Sequence, residues 1–359
     1  MVKVRSRGEK LRSFILQNVE TYPSDIAKRA AIEFGITRQA VNKHLSHLVK
    51  EKALVEEGNT RNRTYKLCPL AEVEKIYPLS PDLQEDVVWR NDVLQILAGL
   101  PENVIDIWSY CFTEMFNNAI DHSGATYISV TVKRTATSIA VTIYDNGVGI
   151  FKKIQDALGL LDERHAVFEL SKGKLTTDPA RHTGEGIFFT SRMVDAFQIL
   201  SSETFFSHNF GKSEDWILQD EKPARGTLVV MRLNNHTSRT LKKVFSEFSS
   251  DEDIGFTKTV VPVRLAQYGD DKLVSRSQAK RLLDRVDRFK TVLLDFAEVT
   301  TIGQSFADEI FRVFQNSHPL IELIPINANT DVQDVIVRAQ SAAMDRNVKS
   351  QSSTVTPKP

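Results

Sequence analysis

The chain has 359 residues, of which 41% are apolar and 26% charged, an ordinary balance for soluble globular protein of two or three domains. Its 46 Lys/Arg and 46 Asp/Glu cancel, so nothing global points to nucleic acid or membrane, and its two cysteines, Cys68 and Cys111, lack metal-ligand spacing. No apolar run nears the roughly 18–20 residues of a membrane span and no signal peptide opens the chain, so the expectation is a cytoplasmic protein with no membrane contact. The charge is uneven, however. Residues 1–67 hold 14 Lys/Arg against 7 Asp/Glu, the basic footprint of a nucleic-acid-binding module.

That module opens with a basic arm (Lys3, Arg5, Arg7, Lys10, Arg12) and a short amphipathic helix, LRSFILQNV. Ser24 or Asp25 can cap a second helix that Gly35 ends, and Thr37 a third, RQAVNKHLSHLVKEK. Ala27, Ala31, Ile36, Val41, Leu45 and Leu48 are the inward positions. Residues 53–67 read as a hairpin turning near Gly58-Asn59. The whole resembles a winged helix-turn-helix over 1–67. That resemblance implies a third helix in the major groove of double-stranded DNA. Thr37, Arg38, Gln39, Asn42 and Lys43 would then be base and phosphate contacts, with Arg61 and Arg63 on the wing against the backbone. A winged helix used only for protein contacts, a homodimer included, is the other reading.

Residues 68–84 contain three prolines and read as a linker. One helix is expected from Glu85 and another after Pro101, running into TEMFNNAIDHS (113–123). There Met115, Phe116, Ala119 and Ile120 form an apolar stripe, while Glu114, Asn118 and Asp121 share a polar face at i, i+4 and i+7. An acid and an amide one turn apart can hold a hard cation and move a proton, although a solvated helix face has the same pattern. Three further signals follow: Asp145-Asn146-Gly147-Val148-Gly149 after the strand IAVTIY, His182-Thr183-Gly184-Glu185-Gly186 opening a helix, and Arg225-Gly226-Thr227 entering a strand.

This ordered combination closely resembles the ATP-binding domain of the GHKL superfamily, which includes gyrase, histidine kinases and anti-sigma-factor kinases. The expected extent is 85–245. The resemblance implies ATP with Mg2+ held by Asn118, the adenine amino group on Asp145, close backbone approach at Gly147 and Gly149, phosphate on the amides near Gly184 and Gly186, and adenine-side support from Thr227. Asp121 joins the nucleotide-facing set, and Glu114 matches the general base. Residues 151–183 would be the lid, with Lys172, Gly173 and Lys174 either phosphate contacts or a solvated cluster, and Arg181 and His182 beside the phosphate loop. The proline-rich segment leaves no room for a phosphoacceptor-histidine helix pair, which argues against a sensor histidine kinase.

Residues 250–342 alternate strands and helices and read as a small α/β domain that resembles a STAS-like domain, related to anti-sigma-factor antagonists. Residues 343–359 read as a disordered polar tail. Ser305 follows the buried strand TVLLDFAEVT. It reads as an N-cap supported by Asp308 and Glu309, whereas the resemblance implies a phosphoacceptor; Gly303 and Phe306 depart from the usual flanks. The fold class is thus multidomain α+β and α/β: winged helix, GHKL sandwich, STAS-like domain. The leading expectation is a DNA-binding transcriptional regulator gated by Mg-ATP binding and slow hydrolysis. The alternative is an anti-sigma-type protein serine kinase acting on a STAS domain or sigma-factor-type partner.

Overall fold

The computed structural model describes residues 2–59, 62–176, 183–211, 216–249, 255–267 and 272–352, the backbone alone at 2–6, 216, 218–224 and 342–352. Arg61, Arg181 and His182 lie outside the described residues.

Three helices come first: α1 (Val2–Asn18), α2 (Ile26–Phe34) and α3 (Arg38–Lys50). Strands β1 (Leu54–Glu57) and β2 (Thr64–Leu67) follow as an antiparallel hairpin in the register Leu54↔Leu67 to Glu57↔Thr64. Helix α1 takes in most of the stretch expected as a basic arm, since only Gly8 interrupts its helix formers and nothing there stops it. Gly35 ends α2 in the left-handed conformation at φ 60°, and the Thr37 side chain accepts the Ala40 N–H at 3.2 Å to start α3. Asp25 is the N-cap residue of α2 but makes no side-chain cap bond. Leu11, Ile15, Ile26, Ala30, Val41, Leu45, Leu48, Leu54 and Leu67 form one core, with Ala27, Ala31 and Ile36 packed partly buried against it.

Strand β3 (Ala71–Pro78) lies within the stretch expected to be a linker and pairs antiparallel with β4 (Tyr127–Arg134) along its whole length. The prolines that suggested a linker flank or end this strand. An edge strand tolerates that, because one side of its backbone needs no partner. Helix α4 (Glu85–Val88) continues as a π turn (Trp89–Val93) and a 3-10 turn (Leu94–Leu97) before α5 (Glu102–His122), β4 and β5 (Ser138–Asp145). Lys75 pairs with Asp92, and the Tyr77 hydroxyl donates to Asp92 Oδ2 at 2.8 Å, which ties β3 to the π turn.

The chain continues through α6 (Ile150–Leu158), α7 (Glu163–Lys172), α8 (Gly186–Met193), β6 (Ala196–Asn209), β7 (Trp216–Asn234) and α9 (Leu241–Glu247). Next come β8 (Lys258–Pro262), α10 (Arg276–Leu283), β9 (Thr291–Asp295), α11 (Gln304–Asp308), a π turn (Glu309–Phe314), α12 (Gln315–Ser317), β10 (Glu322–Ile326) and α13 (Thr330–Ser352). The larger sheet has the order β3-β4-β5-β7-β6, and the smaller is a parallel β10-β9-β8 sheet. Helix α13 runs on to Ser352, into the expected tail, because no Gly or Pro after Thr330 breaks it. Residues 353–359 lie outside the described residues.

Two compact units result, and their division falls inside the expected 85–245 range rather than at its ends. The first is Met1–Asp145 with Leu228–Arg239; the second is Asn146–Thr227 with Thr240–Pro359. In the first unit Arg232 of β7 pairs with Glu20, just beyond α1, and donates to the Ser138 hydroxyl at 3.2 Å. The N-terminal helices, β3, β4, β5 and the end of β7 therefore share one body. In the second unit α7 and α8 share a body with the parallel sheet and its helices.

Candidate functional site

In the first unit α5 buries Val104, Ile107, Trp108, Cys111, Phe112, Met115, Phe116 and Ala119 against the sheet. This 3.6-residue pattern fixes the opposite face. Glu114 and Asn118 fall one turn apart on it, both half-buried, with Asp121 exposed one turn further. Asp145 ends β5 at 5% exposure, in register with Ile128. A carboxylate so deep in the body, at a strand end, needs donors around it.

In the second unit Gly147 is buried, and Gly149 holds φ 89° in a place that no side chain could share. A Cβ there would stand 2.7 Å from the Ser201 hydroxyl and 3.4 Å from the Gly226 carbonyl. Thr227 belongs to the same cluster: its hydroxyl accepts the Ile150 N–H at 3.0 Å and so caps α6. Gly184 has φ 74°, and a Cβ on it would lie 2.5 Å from the Leu175 backbone, whose N–H donates to the Gly184 carbonyl at 3.1 Å. Gly186 is the first residue of α8, and no side chain caps that helix start. Backbone amides at such a start suit an anion. Ser201, Ser202 and Leu175 were not legible as site neighbours in the sequence, because they meet the glycines only across the fold.

Lys172 answers to neither sequence expectation, phosphate contact or solvated charge. It is 1% exposed. Its ammonium donates to Glu169 Oε1 at 2.6 Å and to the carbonyls of Arg281 at 3.1 Å and Asp284 at 2.8 Å, at the end of α10. The Thr259 hydroxyl of β8 donates to the Lys172 carbonyl at 2.6 Å. Burial pushes Lys172 below the usual lysine range, against the pull of Glu169. Burial pushes the Glu169 carboxyl up, but His165 and Lys172 beside it outweigh that and hold it below the usual range. Lys174, with φ 54°, donates to the Arg288 carbonyl at 3.0 Å and is lowered by burial, while Glu185 of the glycine loop is raised by burial. Gly173 faces Phe256 and Phe188. These rings continue into Phe189, Phe245, Phe248 and Phe289, with Phe188 and Phe256 at 4.5 Å, Phe189 and Phe245 at 4.6 Å and Phe256 and Phe289 at 5.1 Å. The expected lid helix and the glycine-loop helix are thus packed on the C-terminal α/β domain.

Thr37, Arg38, Gln39, Asn42 and Lys43 are all exposed at the start of α3. Arg63 is exposed on the hairpin and 3.4 Å from Glu56, so its charge is shared. Ser305 does not cap α11. Gly303 holds the N-cap position, and Ser305 lies exposed within the first turn. A Cβ on Gly303 would stand 2.8 Å from the Val274 Cα, which is why a glycine and not an acid precedes the turn.

Both cysteines are free, and among the described residues no helix is long and apolar enough to cross a membrane. No curated protein matches the chain. Residues 81–204 match the family model of the histidine kinase-like ATPase domain, and residues 278–333 that of a STAS-like domain of unknown function. The chain therefore carries a histidine kinase-like ATPase domain followed by a STAS-like domain.

Proposed function

We propose that this is a cytoplasmic ATP-gated regulator in which the STAS-like domain and the nucleotide loops answer to one another. The observation that carries this reading is the buried seam in the second unit: Lys172 at the end of α7 is held by carbonyls of α10 and its neighbour, and Gly184 is held by Leu175, three residues beyond Lys172. In this reading a change at the phosphate loop passes through Leu175 to α7 and the STAS-like face.

In this reading Asp145 takes the adenine amino group, Thr227 and the turn at Gly147 and Gly149 support the base, and the amides at Gly184 and Gly186 hold phosphate. Asn118 and Glu114 are oxygen donors on a half-buried face, the donor type a hard dication such as Mg2+ takes. Bound magnesium would neutralise phosphate charge. Glu114 would accept the proton of the attacking water or hydroxyl. Glu114→Ala is expected to keep ATP binding and lose roughly 100-fold or more in turnover. Normal phosphate release by that variant would remove Glu114 from the role.

The N-terminal helices and hairpin are read as a winged helix whose basic, exposed α3 start meets duplex DNA. Binding of random duplex should fall steeply with salt, and Arg38→Ala with Lys43→Ala should flatten that dependence by about two phosphate contacts. A slope unchanged by the pair would return the module to protein contacts. The kinase alternative draws on the exposed, non-capping Ser305. Incubation with labelled ATP would then add one phosphoryl group to the chain in cis, or to a STAS or sigma-factor-type partner in trans, and the cis label would vanish in Ser305→Ala.

A further inference from the structure

The seam between α7 and the end of α10 leaves a set of buried groups that the nucleotide reading does not use. The His165 side chain is 10% exposed, and neither of its ring nitrogens has a hydrogen-bond partner. Glu169 is 1% exposed; Lys172 occupies Oε1, whereas Oε2 accepts no hydrogen bond, with Arg285 Nε 3.8 Å away. His165 Nε2 stands 3.7 Å from Glu169 Oε1, too far for a hydrogen bond. Asp284, exposed at the end of α10, completes the group: one ligand atom from each of His165, Glu169 and Asp284 lies within 4.8 Å of the others. Buried polar atoms without partners call for a missing water or ion. Here one ring nitrogen of His165 and one carboxylate oxygen of Glu169 meet an added carboxylate across a domain seam.

We propose that His165, Glu169 and Asp284 form a binding site for a divalent transition-metal ion that clasps the lid helix α7 to the STAS-like domain. Imidazole with two carboxylates selects Zn2+ or Co2+ over Mg2+, which prefers an all-oxygen shell. Ligand atoms about 2.1 Å from a shared ion stand roughly 3–4 Å apart, so side-chain adjustment alone closes the triad. His165 and Glu169 come from successive turns of α7, which fixes their spacing, while Asp284 reaches in from the other element. Lys172 on Glu169 Oε1 is the outer hydrogen bond that orients a ligating carboxylate, and the ion would take the place of the 3.8 Å approach of Arg285 to its second oxygen. The site needs neither ATP nor DNA.

The test uses the full-length, untagged, chelator-stripped protein without nucleotide. Zn2+ is titrated against a chromophoric chelator in the presence of millimolar Mg2+, and Co2+ binding is followed by its visible absorption. One ion per chain, with affinity lowered tenfold or more in both Asp284→Asn and His165→Gln, is the expected result. Asp284 is exposed, so its asparagine variant keeps the fold, which circular dichroism verifies. Absence of Zn2+ binding, displacement by Mg2+, or an affinity unchanged from the parent in either variant overturns the site. Bound ion should also slow hydrogen exchange in α7 of the parent protein but not of Asp284→Asn; identical protection in the two would refute the clasp.

Discussion

Lys172→Met probes the seam directly. The parent ammonium is 1% exposed and makes three bonds, one to a carboxylate that is itself 1% exposed. Removing one member of such a pair leaves Glu169 buried and uncompensated, which costs about 3–5 kcal/mol. Arg285, 3.8 Å from the other oxygen, recovers part of that, so about 3 kcal/mol is expected. The double variant Glu169→Leu/Lys172→Met removes the orphaned charge and should cost only about 1–2 kcal/mol, mostly for the two carbonyls left without a donor. The assay is native-state hydrogen exchange in chelator, read separately for α7, α10 and α5, since a chain with two compact units need not unfold as one. Protection should fall in α7 and α10 and hold in α5. A single variant costing under about 1 kcal/mol, or a double variant no better than the single, would refute the buried-pair argument.

Gly184→Ala forces a side chain into the left-handed region against the Leu175 backbone; it should cost at least about 1–2 kcal/mol locally and weaken binding of a fluorescent ATP analogue tenfold or more. Unchanged affinity would detach that loop from phosphate. For pH dependence, burial raises Asp92 but Lys75 and Tyr77 outweigh it, so its folded-state value lies below the usual one. Its contribution is therefore complete above about pH 4 and lost as the pH falls through the lowered value, so the β3 tie should loosen in acid. Asp92→Asn should flatten that acid limb by about 1 kcal/mol or less, since the pair is partly screened; an unchanged limb in denaturant titrations would count against it.

How much was legible in the sequence follows from the range of each interaction. The 3.6 period of α5, with its polar face at Glu114, Asn118 and Asp121, is local, and so are the glycine turns at 147–149 and 184–186, the Thr37 cap and the alternation of the C-terminal strands and helices. Each depends on residues within a turn or two, and the order of these signals along the chain points to both domain families. The fate of Lys172 was not local. Its sequence neighbours, Gly173 and Lys174, look like a solvated or phosphate-seeking cluster, and only the approach of the Arg281 and Asp284 carbonyls makes it a buried structural cation. The strand at Ala71–Pro78 was masked for the same reason: its prolines speak against a strand until β4 is seen to pair with one edge and leave the other open. Ser305 carries every local mark of a cap. The backbone of Val274, arriving through a parallel bridge between Leu273 and Ile302, demands a glycine at 303 and moves the helix start two residues back. Short-range propensity thus determined most of the elements and which side chains share their faces, while the seams between them, where charge is buried and backbones touch, were decided by contacts between residues about 90 to 115 positions apart.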